Sequence, residues 1–231
     1  MIDNVGTLVT LTGADETTSI ERLIALSKGR PFVEWGFLLS PTEAGRDRFP
    51  SLGKIGEIAA KLSRAAVFCA LHVCGSDAVQ RFIDRDPDLI GLAEGYRRIQ
   101  LNFNMREHAF DLVALDRAIL RWPTPVITQH NPANKEVWRK LSAPNHQVLF
   151  DASSGRGISP PSWPAPLGNK ICGYAGGIGP DNIAPVLREV TRAAAGRKWW
   201  IDMEAKLRKP ANDAFDLDRC ARVLGAVDDV L

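Results

Sequence analysis

The chain has 231 residues, 45% of them hydrophobic and 24% charged, which supplies a sizeable core and excludes a disordered or disulfide-dense chain. A formal net charge of +2, with Lys and Arg spread along the chain, gives no reason to expect nucleic acid as a partner. No run of about 18 apolar residues occurs, and no basic region followed by an apolar stretch opens the chain, so a cytoplasmic protein without a membrane partner is expected.

In chain order, Val5 to Thr12 reads as strand one, with Leu8, Thr10 and Thr12 on one face and Val9 and Leu11 on the other. Thr18 or Ser19 caps a helix over Ile20 to Ser27, which Gly29 stops. Strand two spans Phe32 to Leu39, a polar loop with Arg46 and Arg48 follows, and helix two covers Leu52 to Leu62. Ala66 to Cys74 is nearly all apolar, as a parallel strand covered on both faces should be, and Gly75 and Ser76 lead into a helix near Asp77 to Asp84. Arg98 to Asn102 is a strand, Asp111 to Arg121 a helix, Pro125 to Gln129 a strand and Asn134 to Leu141 its helix. Gln147 to Asp151 is strand six, followed by a Gly- and Pro-rich loop, Ala152 to Pro166. Ile171 to Ala175, a helix from Asp181 to Ala195, Trp199 to Met203 and a helix from Asp216 to Val227 complete the chain.

About eight strand-helix pairs joined by short turns imply right-handed βαβ units and parallel pairing. In a chain of this length they predict an α/β fold, a (β/α)₈ TIM barrel in one domain over 1–231, with an open doubly wound sheet as the alternative. Four cysteines without Cys-x-x-Cys spacing point to free thiols, mostly buried, and not to structural zinc.

A barrel gathers its chemistry where strands end, and period-two alternation tells which polar residues share a face. Thr10 pairs in this sense with Thr12, His72 with Cys74, Gln100 with Asn102, and Asp202 with Glu204, while Asp151 ends strand six and Glu34 sits mid-strand. Two carboxylates on one side of a strand repel unless one is protonated, cation-paired or metal-bound. Glu34, His72, Asp202 and Glu204 lack a recognisable metal-ligand spacing, so a salt bridge to a loop Arg or Lys is the simpler reading; no metal and no cofactor is expected. Lys170 falls at the wrong rim for a Schiff base, and Lys206 meets a ligand only through loop folding. Two backbone-donor loops stand out. Gly155, Arg156 and Gly157 follow Asp151, and Gly176 to Asn182 joins strand seven to a helix through Gly176, Gly177 and Gly179, which can take positive φ, with Pro180 at the first helical position. Bare amides at a helix start suit a phosphate.

The order of these motifs resembles phosphoribosylanthranilate isomerase, a tryptophan-pathway enzyme on a ribulose-phosphate-binding barrel. The family's Ala-Gly-Gly-Leu-x-Pro-Glu-Asn-Val is matched by Ala175-Gly176-Gly177-Ile178-Gly179-Pro180-Asp181-Asn182-Ile183. Its strand-two Gly-Phe and following Arg are echoed by Gly36-Phe37 and Arg48, its strand-four Gln-Leu-His by Gln100-Leu101-Asn102, and its strand-eight Asp-Val-Ser-Ser-Gly by Asp202-Met203-Glu204-Ala205-Lys206. The resemblance implies an Amadori-type isomerase with Asp151 as general acid. The family's strand-one Cys, its general base, is replaced here within Thr10-Leu11-Thr12-Gly13, and a threonine hydroxyl is a far weaker acid than a thiol. Cys74 or Glu204 could take over from another strand.

The expectation is therefore a barrel binding a small phosphorylated metabolite through Gly155, Arg156, Gly157, Gly176, Gly177, Asn182, Arg48, Gln100 and Asn102, with Asp151, Asp202, Glu204 and Cys74 as catalytic candidates. Proton transfer beside a carbonyl or imine, as in an isomerase or lyase, is the expected chemistry. The alternatives are a non-catalytic phosphate-ligand barrel and a true phosphoribosylanthranilate isomerase with a substituted base. A homodimer is expected on general grounds.

Overall fold

The computed structural model describes residues 8–153 and 155–230. Eight parallel strands close into a barrel in the order of the chain: β1 (Leu8–Thr12), β2 (Val33–Leu39), β3 (Phe68–Cys74), β4 (Arg98–Asn102), β5 (Val126–His130), β6 (His146–Phe150), β7 (Cys172–Ala175) and β8 (Trp199–Met203). β1 closes the ring against β8, with Thr10 opposite Asp202. Of the predicted first strand, Val5 to Thr7 lie outside the described residues.

Among the described residues, seven helices cover the outside: α1 (Ile20–Ser27), α2 (Leu52–Arg64), α3 (Ser76–Ile83), α4 (Pro87–Ala93), α5 (Leu112–Arg121), α6 (Ile183–Ala194) and α7 (Leu217–Asp228). Each presents a periodic apolar stripe to the strands, such as Ile55, Ile58, Ala59 and Leu62 on α2. Their counterparts on the strands are the outward residues, among them Trp35, Phe37, Leu71, Val73, Ile99 and Ile201, all buried.

Alternate residues point into the barrel, and here the interior is divided. Ile127, Leu149 and Trp200 make a small apolar plug separate from the main core. A Cβ on Gly173 would run into the indole of Trp200, so the missing side chain on β7 is what lets the large ring on β8 lie flat across the interior. Beside the plug sits a buried ion pair, in which Arg98 on β4 donates through Nε to Glu34 Oε2 on β2 at 2.9 Å. Thr10 Oγ1 donates to Glu34 at 2.9 Å, and Arg98 Nη1 reaches Gln147 on β6 at 3.2 Å. Partners on four different strands meet only across a barrel's inside.

Three stretches differ from the sequence expectation. Asn134 to Leu141 forms only a 3-10 turn, Val137–Lys140, because the segment offers little apolar periodicity and Asn134 spends its side chain on Phe103 O and the Met105 amide. A helix not expected, α4, follows α3, started by Asp86, which accepts from the Asp88 and Leu89 amides, and by Pro87. Finally, α6 begins at Ile183, so Pro180 lies in the preceding turn and not at the first helical position. Gly176 and Gly177 have positive φ, 115° and 64°, whereas Gly179 does not need it.

Candidate active site

The C-terminal ends of the strands surround one cavity, bordered by the sixth, seventh and eighth strand ends on one side and by β3 to β5 on the other. Asp202 lies at its base, only 6% exposed. Thr12 Oγ1, near the end of β1, donates to Asp202 Oδ1 at 2.6 Å. Burial pushes the Asp202 carboxyl up to about 7, against the pull of Thr12 and Arg98, with Glu34 and Asp151 adding to the rise. A group so placed exchanges protons near neutrality.

Glu204, two residues on, faces the same cavity. Burial raises its carboxyl as well, and Arg48 opposes that through a 3.1 Å ion pair. Arg48 is itself shared with Asp213, so this loop arginine stands behind Glu204 instead of bordering the cavity.

The β3 and β4 wall is a chain of side-chain hydrogen bonds. Asn102 Nδ2 donates to Cys74 Sγ at 3.4 Å, Gln100 Nε2 donates to Asn102 Oδ1 at 3.0 Å, and the same Nε2 lies 3.2 Å from His72 Nδ1. Burial pushes the Cys74 thiol up to about 12, and Cys74 does not border the cavity. It is therefore poorly suited to serve as the base suggested for it. Burial also lowers His72 to about 4, so its imidazole is neutral.

Asp151 continues β6 into its loop. Its Oδ1 accepts from the Ser153 hydroxyl at 2.9 Å and its Oδ2 from the Gly155 amide at 2.7 Å, with Gln129 Nε2 at 3.5 Å. The Gly155 amide is thus committed to Asp151. Arg156 directs its Nε to Ser153 O at 2.9 Å and does not border the cavity. Asn182 bridges its own turn, accepting from the Gly179 amide at 2.8 Å and donating to Gly177 O at 2.9 Å. The Asn182 and Ile183 amides turn back to Gly179 O, so the start of α6 does not supply the free donors. Among the described residues the amides of Gly157, Gly176, Gly177 and Ile178 have no hydrogen-bond acceptor, and all four residues border the cavity.

Lys206 completes that rim. It is exposed, its ammonium has no ion pair among the described residues, and its stem crosses over Gly179. The alternation that pairs Asp202 with Glu204 would have carried one step further to Lys206, but only the 3-10 turn Ala205–Leu207 bends it back over the cavity. Gln129, the inward residue near the end of β5, and His72 also border the cavity and were not among the expected site residues. No group of three or more His, Cys, Asp or Glu able to hold a metal occurs among the described residues.

No family model matches the sequence, and no curated protein is significantly similar to it. Solved structures share the fold. A monomeric form of dimeric phosphoribosylanthranilate isomerase from Thermotoga maritima superposes with a TM-score of 0.62 at 14% identity, over 96% of this chain and 98% of that one. The phospho-2-dehydro-3-deoxyheptonate aldolase of the same organism gives 0.57 at 11% identity, over 97% and 69%. A D-psicose 3-epimerase from Clostridium cellulolyticum H10, solved with D-tagatose, gives 0.54 at 12% identity, over 97% and 98%. At such identities the shared property is the closed barrel.

Proposed function

We propose that the chain is an enzyme that moves a proton at a carbon next to a carbonyl or imine of a small phosphorylated metabolite, as an isomerase or lyase does. The observation that carries this reading is a shared cavity: buried Asp202, bonded to Thr12 and raised by burial to about 7, borders the same space as the unspent amides and Lys206 on its own and the neighbouring strand ends. General acid-base catalysis works best with a group whose pKa is near the working pH. A phosphate dianion seated on Gly157, Gly176, Gly177 and the Lys206 ammonium would fix the substrate, and Asp202 would take and return the proton. Asp151 would serve as the second carboxyl, with Glu204 and its Arg48 partner completing the polar wall. Similar barrels named as an isomerase and an epimerase support the class.

One observation favours a second reading. Asp151 bonds to Ser153 and Gly155 of its own loop, as a purely structural residue would, which suits a barrel that binds a phosphorylated ligand without turning it over. A panel of aldose and ketose phosphates, screened by thermal shift and then incubated in deuterated water, separates the two. Deuterium incorporation at the carbon beside the carbonyl, lost in Asp202→Asn, supports the enzyme. Binding without incorporation, unchanged in Asp151→Asn, supports the second reading, and a panel that neither binds nor exchanges refutes both.

A further inference from the structure

We infer that His72 is a catalytic residue, an uncharged imidazole whose Nε2–H is held for an oxygen of the substrate, with Gln100 and Asn102 as its positioning residues. The directions of three hydrogen bonds give this result. Asn102 spends its Nδ2 on Cys74 Sγ and so turns Oδ1 to Gln100. An amide nitrogen has hydrogens to give and no lone pair to offer, so Gln100 Nε2 donates one to Asn102 Oδ1 and the other to His72 Nδ1. His72 Nδ1 is then the bare nitrogen, and the proton sits on Nε2. Turning the Gln100 amide over would set its carbonyl against Asn102 Oδ1, two acceptors facing each other.

The same bond resists a second proton, because a proton on Nδ1 would meet the Gln100 N–H. Charges on the surrounding strands divide: Glu34 on β2 favours the cation, Arg98 on β4 opposes it, Asp202 lies across the interior on β8, and burial outweighs the Glu34 contribution. At the other end of the ring, Nε2 lies 3.1 Å from where a Gly36 Cβ would sit, and that absent atom would also run into Thr12 Oγ1. Glycine at 36 therefore lets the imidazole approach the Thr12–Asp202 pair. Nε2 makes no hydrogen bond among the described residues, and His72 borders the cavity.

The chemical role rests on the proposed function. Ionised Asp202 takes a proton from the carbon beside the carbonyl, the C–H electron pair becomes a C=C bond, and the carbonyl oxygen gains the negative charge. His72 Nε2–H hydrogen-bonds to that oxygen and keeps its proton. Asp202 then returns the proton to the former carbonyl carbon, the C=C pair forming the new C–H bond. The hydroxyl proton on the neighbouring carbon passes to the former carbonyl oxygen, and the O–H electron pair left behind forms the new C=O; no electron is gained or lost overall.

Long-range ¹H–¹⁵N spectra of the labelled, ligand-free protein test the held donor without any substrate. Across about pH 5.5 to 8.5, His72 is expected to show an unprotonated Nδ1 and a protonated Nε2, unchanged. In Gln100→Leu the ring should mix tautomers, and in Gln100→Glu the proton should move to Nδ1. A parent His72 that titrates in this range, or carries its proton on Nδ1, overturns the proposal whatever the substrate. With any panel member that exchanges, His72→Gln is expected to lower kcat by roughly 10²-fold, the usual loss of one oxyanion donor, with little change in KM. An unchanged kcat overturns the catalytic role. Absence of exchange with the whole panel overturns that role together with the proposed function, whereas the spectra alone decide whether the donor is held.

Discussion

Two buried groups at the barrel mouth carry opposite titration costs. Asp202 is raised from 3.8 to about 7, so its contribution to stability is complete below about pH 4 and is lost as pH rises through about 7. His72 is lowered from 6.5 to about 4, so its contribution is complete above about pH 6.5 and is lost as pH falls through about 4. The slopes oppose each other at intermediate pH, and above about 6.5 only the Asp202 loss remains. Asp202→Asn is accordingly expected to be more stable than the parent at about pH 8, by at most about 4 kcal/mol at ~1.36 kcal/mol per pKa unit, with the gap closing by about pH 4. Urea midpoints across this range measure it, and a variant less stable at pH 8 would show that the carboxylate is held in its charged form. Parity along a strand was enough to put Asp202 with Glu204 and His72 with Cys74. It could not tell that Cys74 would be tied up by Asn102 while His72 Nδ1 met Gln100 and Nε2 stayed without a hydrogen bond, since that depends on Gln100 and Asn102 of the neighbouring strand.

Among the elements, β2, β4 and β8 carry the interior. Glu34 and Arg98, 1% and 5% exposed, compensate each other where water cannot, and Arg98 stacks 4.5 Å over the Trp200 ring. Glu34→Ala should cost about 3–5 kcal/mol by leaving a buried guanidinium unpaired, whereas a joint Glu34→Leu, Arg98→Met change should recover most of it; chemical denaturation of both variants decides. Gly173→Ala is expected to cost about 1–3 kcal/mol as an overpacked site, and markedly less when combined with Trp200→Leu. A penalty that survives the second change would place its origin in the β7 backbone. Helix α1 and strands β4 and β8 run between the same residues as the periodicity predicts. The α4 stop-start was also written in Asp86-Pro87 and the Leu89, Ile90, Ala93 stripe, but it adds a second helix where simple alternation expects one. After β5 the reverse holds, and turn bonds from Asn131 and Asn134 replace helix.

For the whole molecule, the ring is closed only when β1 pairs with β8, so folding is expected to be a single cooperative event, with near- and far-ultraviolet signals changing at one urea midpoint. The phosphate binding proposed at the mouth would stabilise that same folded state. Inorganic phosphate at about ten times its Kd should therefore add about 1.4 kcal/mol, from RT ln(1 + [L]/Kd), and Lys206→Ala should remove most of the resulting shift in Tm. A phosphate effect indifferent to Lys206 would separate that ammonium from the cradle. No helix described is long and apolar enough to cross a membrane. The amino-acid order by itself determined the alternation of strands and helices, the inward parity of Asp202 and Glu204, and the glycine turn at Gly176–Gly177, because each follows from local periodicity and backbone freedom. Only the closed barrel decided which amides stay free, that Lys206 returns to the cavity, and that Thr12, His72 and Asp202 share one interior, because those neighbours come from strands far apart in the chain and are brought together by ring closure alone.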